Sequence, residues 1–103
     1  MIKNLAQLKR ALVEGAEFEI TNHWRTELVG EHRRVNHANT TGIYSTVPND
    51  PENKATLANN GLGSFLSWAK APLWKFENGV CGLYGDNEHT RLIIEIKVQE
   101  GTT

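Results

Sequence analysis

The chain has 103 residues, of which 39% are hydrophobic and 22% are charged. These proportions are ordinary for a soluble globular protein and predict a single domain over residues 1–103. The formal net charge of −1 excludes a chain-wide attraction to nucleic acid and a carboxylate-rich imitation of DNA. With Cys81 as the sole cysteine, an internal disulfide is excluded as well. No apolar run reaches the length of a signal peptide or a membrane span, which predicts a cytoplasmic protein without membrane contact.

The first segment is predicted to form an amphipathic helix. Asn4 is a favourable N-cap, and Gln7 lies three residues later, as in a capping box. Leu5, Leu8 and Leu12 form one apolar stripe at helical spacing, and Gly15 is a plausible end. A helix this short needs tertiary packing, so the stripe is expected to lie on a sheet.

After Gly15 the hydrophobic period changes from nearly four to two. "EFEITNHW" alternates with Phe18 and Ile20 on one face, which predicts a strand. "TELVGEHRRVNHA" is predicted to follow as one long strand with a bulge or bend at Gly30. "TGIYSTV" is the next predicted strand, and "PNDPENKATLANNGLG" the one long turn-rich region.

The remaining segments complete a predicted sheet. "SFLSWAKAPLWKFENGVCGLYG" contains two short strands separated around Ala71 and Pro72. Asn78-Gly79 is a strong hairpin signal, and "HTRLIIEIKV" predicts a half-buried strand. The sequence therefore predicts an α+β fold, in which the N-terminal helix packs on a curved antiparallel sheet or small open barrel of about six strands.

Residues that carry chemistry are sparse. The potential metal ligands are scattered without the close pairs typical of structural zinc sites: His23, His32, His37, His89 and Cys81. Cys81 sits in a regular strand pattern, where a thiol behaves as a small apolar group. Ser64, in "GLGSF", lacks the sequence of a nucleophile elbow. The sequence thus predicts neither catalytic residues, nor a metal site, nor a cofactor, although a small zinc-binding protein stays open as an alternative.

Two segments raise the question of phosphate binding. "NNGLGS" is glycine-rich but lacks the P-loop lysine and precedes a strand, which favours a turn. "HRRVNH" contains Arg33 and Arg34, which point to opposite faces of a strand. With Lys70, Lys75 and exposed tryptophans they suggest, as an alternative function, a barrel that binds single-stranded nucleic acid.

Trp68 and Trp74 are six residues apart with a proline between them. In a small domain one of them is expected to fill the core. Strand alternation allows the other aromatic side chain to be partly exposed, where it can anchor an interface, although burial in the core is the default for either tryptophan taken singly.

Two segments, "RRVNHANTTGIYSTVP" and "ANNGLGSFLSWAKAPLWKFENGVCGLYG", resemble a group of small proteins encoded in phages, prophages and conjugative elements of Gram-positive bacteria. The matching positions are Arg34, Val35, Thr41, Gly42, Tyr44, Ser45, Asn60, Gly61, Gly63, Ser64, Trp68, Lys70, Ala71, Trp74 and Phe76. The resemblance implies a non-enzymatic accessory protein in a bacterial host cytoplasm that binds a host protein. Its most specific form is a type II anti-CRISPR protein, an inhibitor of an RNA-guided nuclease.

The sequence hypothesis is therefore a protein–protein interaction module. Its predicted partner-binding residues are Trp68, Trp74, Lys70, Asn59, Asn60, Arg33 and Arg34. Phosphate-driven binding weakens steeply with salt and an apolar protein interface weakens less, which separates this hypothesis from the nucleic-acid alternative.

Overall fold

The computed structural model of the protein describes residues 2–48 and 54–99. Within these residues the chain forms two α-helices and one seven-stranded sheet, connected by turns that include three single 3-10 turns. The elements are α1 (Leu5–Ala11), β1 (Glu17–His23), a 3-10 turn (Thr26–Leu28), β2 (His32–Ala38), β3 (Gly42–Thr46), α2 (Lys54–Leu57), a 3-10 turn (Asn59–Gly61), β4 (Ser64–Ser67), a 3-10 turn (Ala71–Leu73), β5 (Trp74–Glu77), β6 (Val80–Tyr84) and β7 (Leu92–Val98). The predicted α+β class is confirmed.

The sheet consists of two meanders that meet at one seam. Its order is β4-β3-β2-β1-β7-β6-β5, and every neighbouring pair is antiparallel. Strands β1 to β4 are neighbours in chain order, as are β5 to β7. The seam joins the first strand to the last, with Ile20 opposite Ile96.

Consecutive strands β4 and β5 lie at opposite edges of this sheet. A flat sheet of seven strands would separate its edges by roughly 29 Å, six spacings of about 4.8 Å. The chain from Ser67 to Trp74 reaches roughly 24 Å even when fully extended, and the 3-10 turn shortens it further. The sheet must therefore curl until its two edges approach each other.

The opening helix forms as the sequence predicts. Asn4 Oδ1 accepts a hydrogen bond from the Gln7 backbone N–H at 2.9 Å, and Gln7 Oε1 accepts one from the Lys3 backbone N–H at 2.7 Å. Leu8 and Leu12 are fully buried. The helix thus packs into the core by its apolar stripe, as expected, but it ends at Ala11 rather than at Gly15.

The predicted hairpin and final strand are confirmed. Asn78 and Gly79 both have positive φ, 53° and 80°, as a type I′ turn requires, and they join β5 to β6. In β7 the side chains of Ile94, Ile96 and Val98 are buried, in the predicted alternation.

The single long strand predicted over "TELVGEHRRVNHA" is wrong. Thr26–Leu28 form a 3-10 turn, and β2 begins only at His32. The reason is topological, because β1 and β2 are antiparallel neighbours and the chain must reverse direction between them. Gly30 lies in this reversal, where its N–H donates to the Ile20 carbonyl at 2.7 Å.

The glycine-rich segment before β4 is a turn, as predicted. Asn59 and Asn60 have φ of 54° and 59°, and Asn59 Nδ2 donates to the Gly63 carbonyl at 2.7 Å. Gly63 has φ of 101°, and a Cβ there would lie 1.8 Å from the Ser45 carbonyl oxygen. Backbone conformation and close strand approach, rather than a phosphate, account for these residues.

Candidate functional site

Both tryptophans of the predicted binding face are buried. Trp68 and Trp74 are each 4% exposed, so the expectation that one of them is partly exposed is wrong. Trp68 Nε1 donates to the Asn39 carbonyl at 2.8 Å, and Trp74 Nε1 donates to the Trp68 carbonyl at 2.5 Å. Each indole fills the core where the sheet edges approach, with its N–H hydrogen-bonded.

The two predicted arginines lie on opposite faces of β2, as alternation indicates. Arg33 is 7% exposed, and Arg34 is exposed. Arg33 Nε and Nη2 both donate to Glu31 Oε1, at 2.9 and 2.7 Å. The expectation that Arg33 belongs to an open binding face is therefore wrong, because its guanidinium is inside the sheet and paired.

The other predicted residues are exposed but do not form one surface with the arginines. Lys70 lies directly before the 3-10 turn that follows β4, whereas Asn59 and Asn60 precede β4. They therefore lie toward opposite ends of that strand. The structure does not bring the seven predicted residues together.

The histidines and Cys81 are also dispersed. Cys81 is fully buried on β6, whereas His32 and His37 lie on β2 and His89 lies in the β6–β7 connection. Among residues 2–48 and 54–99, no group of three or more His, Cys, Asp or Glu is placed to hold a metal ion. The geometry thus gives no support to the zinc-binding alternative.

The third tryptophan is the most exposed large apolar side chain among the described residues. Trp24 is 67% exposed at the end of β1. Its ring centroid lies 5.9 Å from that of His23, and the Arg25 guanidinium lies 5.8 Å from the ring centroid. Its backbone N–H meets the Ile93 carbonyl at 3.4 Å. Trp24 is therefore held against the sheet by its backbone while its indole faces solvent.

Trp24 stands between two concave surfaces. One cavity, of about 230 Å³, contains Arg25, Phe65 and Ile93 in its lining, and the other, of about 480 Å³, contains Arg91 and Ile93. Phe65 and Ile93 are themselves exposed, by 44% and 38%. We define the Trp24 surface as Trp24 and Ile93, which line both cavities, together with Arg25, Phe65 and Arg91, which each line one of them.

The electrostatic environment beneath Trp24 is that of a neutral imidazole beside cations. Burial lowers the pKa of His23 from 6.5, and the positive charges of Arg33 and then Arg25 lower it further. His23 Nδ1 accepts a hydrogen bond from the Arg25 backbone N–H at 2.9 Å. That role needs a nitrogen without a proton, which agrees with the lowered pKa.

Sequence reasoning missed Trp24 and Ile93. In "LIIEIKV" the alternation that buries Ile94 and Ile96 places Ile93 on the opposite face, so an exposed isoleucine was a readable signal. Trp24 directly follows the alternating segment of β1 and comes just before the chain reverses. No local sequence pattern indicates that Trp24 is exposed. Its exposure depends on the 3-10 turn at Thr26–Leu28, where the sequence predicts a strand instead.

Together, fold and surface define an α+β domain with a curled antiparallel sheet and one exposed aromatic surface. No protein-family model, curated protein or solved structure matches the chain. Among the described residues, no helix is both long and apolar enough to cross a membrane.

Proposed function

We propose that this chain is a non-enzymatic binding domain that contacts a protein partner through the Trp24 surface. The observation that supports it is the contrast among the three tryptophans, since Trp68 and Trp74 are 4% exposed and Trp24 is 67% exposed. An indole exposed to water does not contribute the hydrophobic stabilisation that its burial would give. Trp and Arg are also among the residues most enriched at the energetic centres of protein interfaces.

The composition of the surface fits a protein partner better than a nucleic acid. Phe65 and Ile93 add apolar area beside Trp24. The positive charge is partly offset, because Arg25 Nε lies 3.0 Å from Glu27 Oε1. A phosphate-tracking groove needs unpaired cations along its length, whereas an aromatic centre with a charged rim is the anatomy of a protein interface.

The resemblance to mobile-element proteins supplies the most specific form of this proposal. In that form the partner is an RNA-guided nuclease of a bacterial host, and binding occludes or locks it without chemistry by this chain. The support for this specific form is the sequence resemblance. Inhibition by binding also requires no catalytic residues in this chain.

The test is a binding assay with a matched pair of variants. The tagged protein is used to recover a partner from bacterial lysate, and complex formation is then measured with the purified partner, a guide-loaded type II nuclease being assayed in parallel for DNA cleavage. Trp24→Ala is expected to weaken binding by about 2 kcal/mol, roughly thirtyfold. Val13→Ala, which truncates another exposed side chain (51%) beyond the end of α1, is expected to change it by less than about 0.5 kcal/mol.

Two results would contradict the proposal. One is equal affinity of wild type and Trp24→Ala for the purified partner. The other is recovery that is abolished by nuclease treatment and by high salt, which would favour the single-stranded nucleic-acid alternative. An unaffected cleavage reaction alongside a genuine protein complex would reject only the nuclease as the partner.

A further inference from the structure

The smaller cavity beside Trp24 is lined by residues of five strands. They include His23 on β1, Arg33 on β2, Ser45 on β3, Ser64 on β4 and Ile94 on β7. The strand register shows that the cavity extends along β1, because Arg33 is opposite Phe18 and Ile94 is opposite His23. Clefts of this kind are a recurrent place for small-molecule sites.

The walls of this cavity are mostly apolar with a few inward polar groups. Phe18 and Ile94 are buried in its lining, and Leu28 and Leu66 are half-buried there. Ser45 and Ser64 are directly opposite each other on β3 and β4, which places two hydroxyl-bearing side chains side by side. An apolar cavity with a few convergent polar groups is the usual composition of a ligand site.

The Arg33 guanidinium is the strongest polar group of the cavity. Its side chain is 9% exposed, and its two hydrogen bonds to Glu31 use Nε and Nη2 and reach a single carboxylate oxygen. Nη1 takes no part in this pair. Arg33 belongs to the lining of the cavity. Its ion pair with Glu31 uses one edge of the guanidinium, and the other edge, which carries Nη1, lies outside this pair.

Each arginine of the cavity lining is paired with a glutamate, Arg33 with Glu31 and Arg25 with Glu27. At His23 the two arginines nevertheless have larger effects on the lowered pKa than the two glutamates have. Because the pKa of His23 is lowered, the guanidinium groups rather than the imidazole supply the attraction for an anion.

We infer that this cavity binds a small monocarboxylic acid with a flat apolar body. The carboxylate would take the free edge of the Arg33 guanidinium, whose planar geometry matches it, with the Ser45 and Ser64 hydroxyls as neighbouring donors. The apolar body would lie against Phe18 and Ile94. The volume of about 230 Å³ is below the roughly 300–1,000 Å³ typical of drug-sized ligands, so the ligand is of benzoate or phenylacetate size. Trp24, Arg25, Phe65 and Ile93 belong both to the lining of this cavity and to the Trp24 surface, so the ligand site adjoins the proposed protein-binding surface.

Benzoate and phenylacetate are the probes, with benzamide and phenylacetamide as neutral matches of the same shape. Binding is measured by calorimetry and by tryptophan emission, since Trp24 borders the cavity. A ligand of about nine non-hydrogen atoms is expected to bind with a Kd of about 10 mM or tighter. The acids are expected to bind at least about tenfold more tightly than the amides, because hydrogen bonds to an ionised acceptor are the stronger ones.

Variants locate the site. Leu28→Trp, which fills the cavity from its half-buried turn, is expected to abolish binding, and Ser45→Ala to weaken it about threefold or more. Arg34→Gln, on the opposite face of β2, is the control and is expected to retain wild-type affinity within about twofold. In case a cavity variant does not fold, backbone amide shifts of wild-type Arg33, Ser45 and Ser64 on titration with benzoate give an independent location.

Three outcomes would overturn the inference. They are the absence of saturable binding up to about 100 mM, equal affinity for acid and amide, and amide shifts confined to residues outside the cavity. Each leaves the protein-binding proposal untouched, since that is measured with a different ligand and with Trp24→Ala.

Discussion

The Trp74 indole N–H donates a hydrogen bond of 2.5 Å to the carbonyl oxygen of Trp68. Trp68 follows one edge strand and Trp74 begins the other, so this bond connects the two edges of the curled sheet. Trp68 extends the connection, because its own Nε1 donates to the Asn39 carbonyl in the β2–β3 turn. The two indole side chains thus connect the edge strands β4 and β5, which are not paired by backbone hydrogen bonds.

The edge contact predicts a large stability loss for Trp74→Phe. The substitution removes the donor, leaves the buried Trp68 carbonyl unpaired and opens a void, so we expect the free energy of unfolding to fall by about 2–3 kcal/mol. Urea unfolding measures it. Trp24→Phe is the matched control and is expected to change stability by less than about 0.5 kcal/mol. If the two variants lowered the free energy of unfolding equally, the hydrogen bond between the sheet edges would not be a specific source of stability.

The difference in tryptophan exposure predicts how the protein responds to a collisional quencher. Iodide is expected to quench Trp24, which is 67% exposed, and to leave Trp68 and Trp74 largely unaffected. Stern–Volmer plots of the wild type should therefore curve downward, and those of Trp24→Phe should become nearly flat. Persistent strong quenching in Trp24→Phe would mean that one of the other indoles reaches solvent.

The turn before β4 predicts unequal effects of two glycine substitutions. Gly61 and Gly63 both have positive φ, but a Cβ at Gly61 has nothing within 4 Å, whereas one at Gly63 would lie 1.8 Å from the Ser45 carbonyl oxygen. Gly61→Ala is expected to cost about 1 kcal/mol through backbone strain alone. Gly63→Ala is expected to cost more than about 3 kcal/mol because β3 and β4 must separate. Thermal denaturation of both variants is the measurement, and similar melting temperatures would refute the steric explanation.

His23 predicts a loss of stability as the pH falls below 6.5. Its pKa is lowered in the folded protein, by burial first and by the nearby arginines second. The unfolded chain therefore binds the proton at higher pH than the folded chain does, and acidification favours unfolding. Glu27 and Asp86, whose pKa values are lowered from 4.5 and 3.8, act at lower pH.

Urea unfolding at pH 7.5 and at pH 5.5 tests the role of His23, with both values chosen to bracket its unperturbed pKa of about 6.5. Wild type is expected to lose stability between them, and His23→Gln to lose less. If His23→Gln loses as much stability between the two pH values as the wild type does, the pH response comes from other groups.

The parts of this fold that the sequence predicts are those governed by neighbouring residues. Asn78-Gly79 specifies its own turn, and in β7 the alternation around Ile94 and Ile96 specifies which face is buried. The burial of both Trp68 and Trp74 is different in kind. It follows from the meeting of two edges that are remote in the sheet, and alternation along a single strand carries no information about that meeting.

The candidate site was less predictable than the fold for the same reason. The pattern "HRRVNH" correctly predicts that Arg33 and Arg34 lie on opposite faces of β2. It does not indicate which of the two faces is buried. The cavity is lined by residues of β1, β2, β3, β4 and β7. Their arrangement depends on the pairing of β1 with β7, whose partners are far apart in the chain.

The two-meander arrangement also has a consequence for the order in which the molecule assembles. Within the meanders paired residues are close in sequence, as in Val35 with Ser45 and Phe76 with Cys81, and such contacts require only short loops to close. The seam pairs Ile20 with Ile96, and the loop-closure entropy for so long a separation must be met before any of its hydrogen bonds form. We therefore expect the halves to acquire structure early and the seam to set the folding rate, so that truncating Ile96 slows refolding more than truncating Phe76 does.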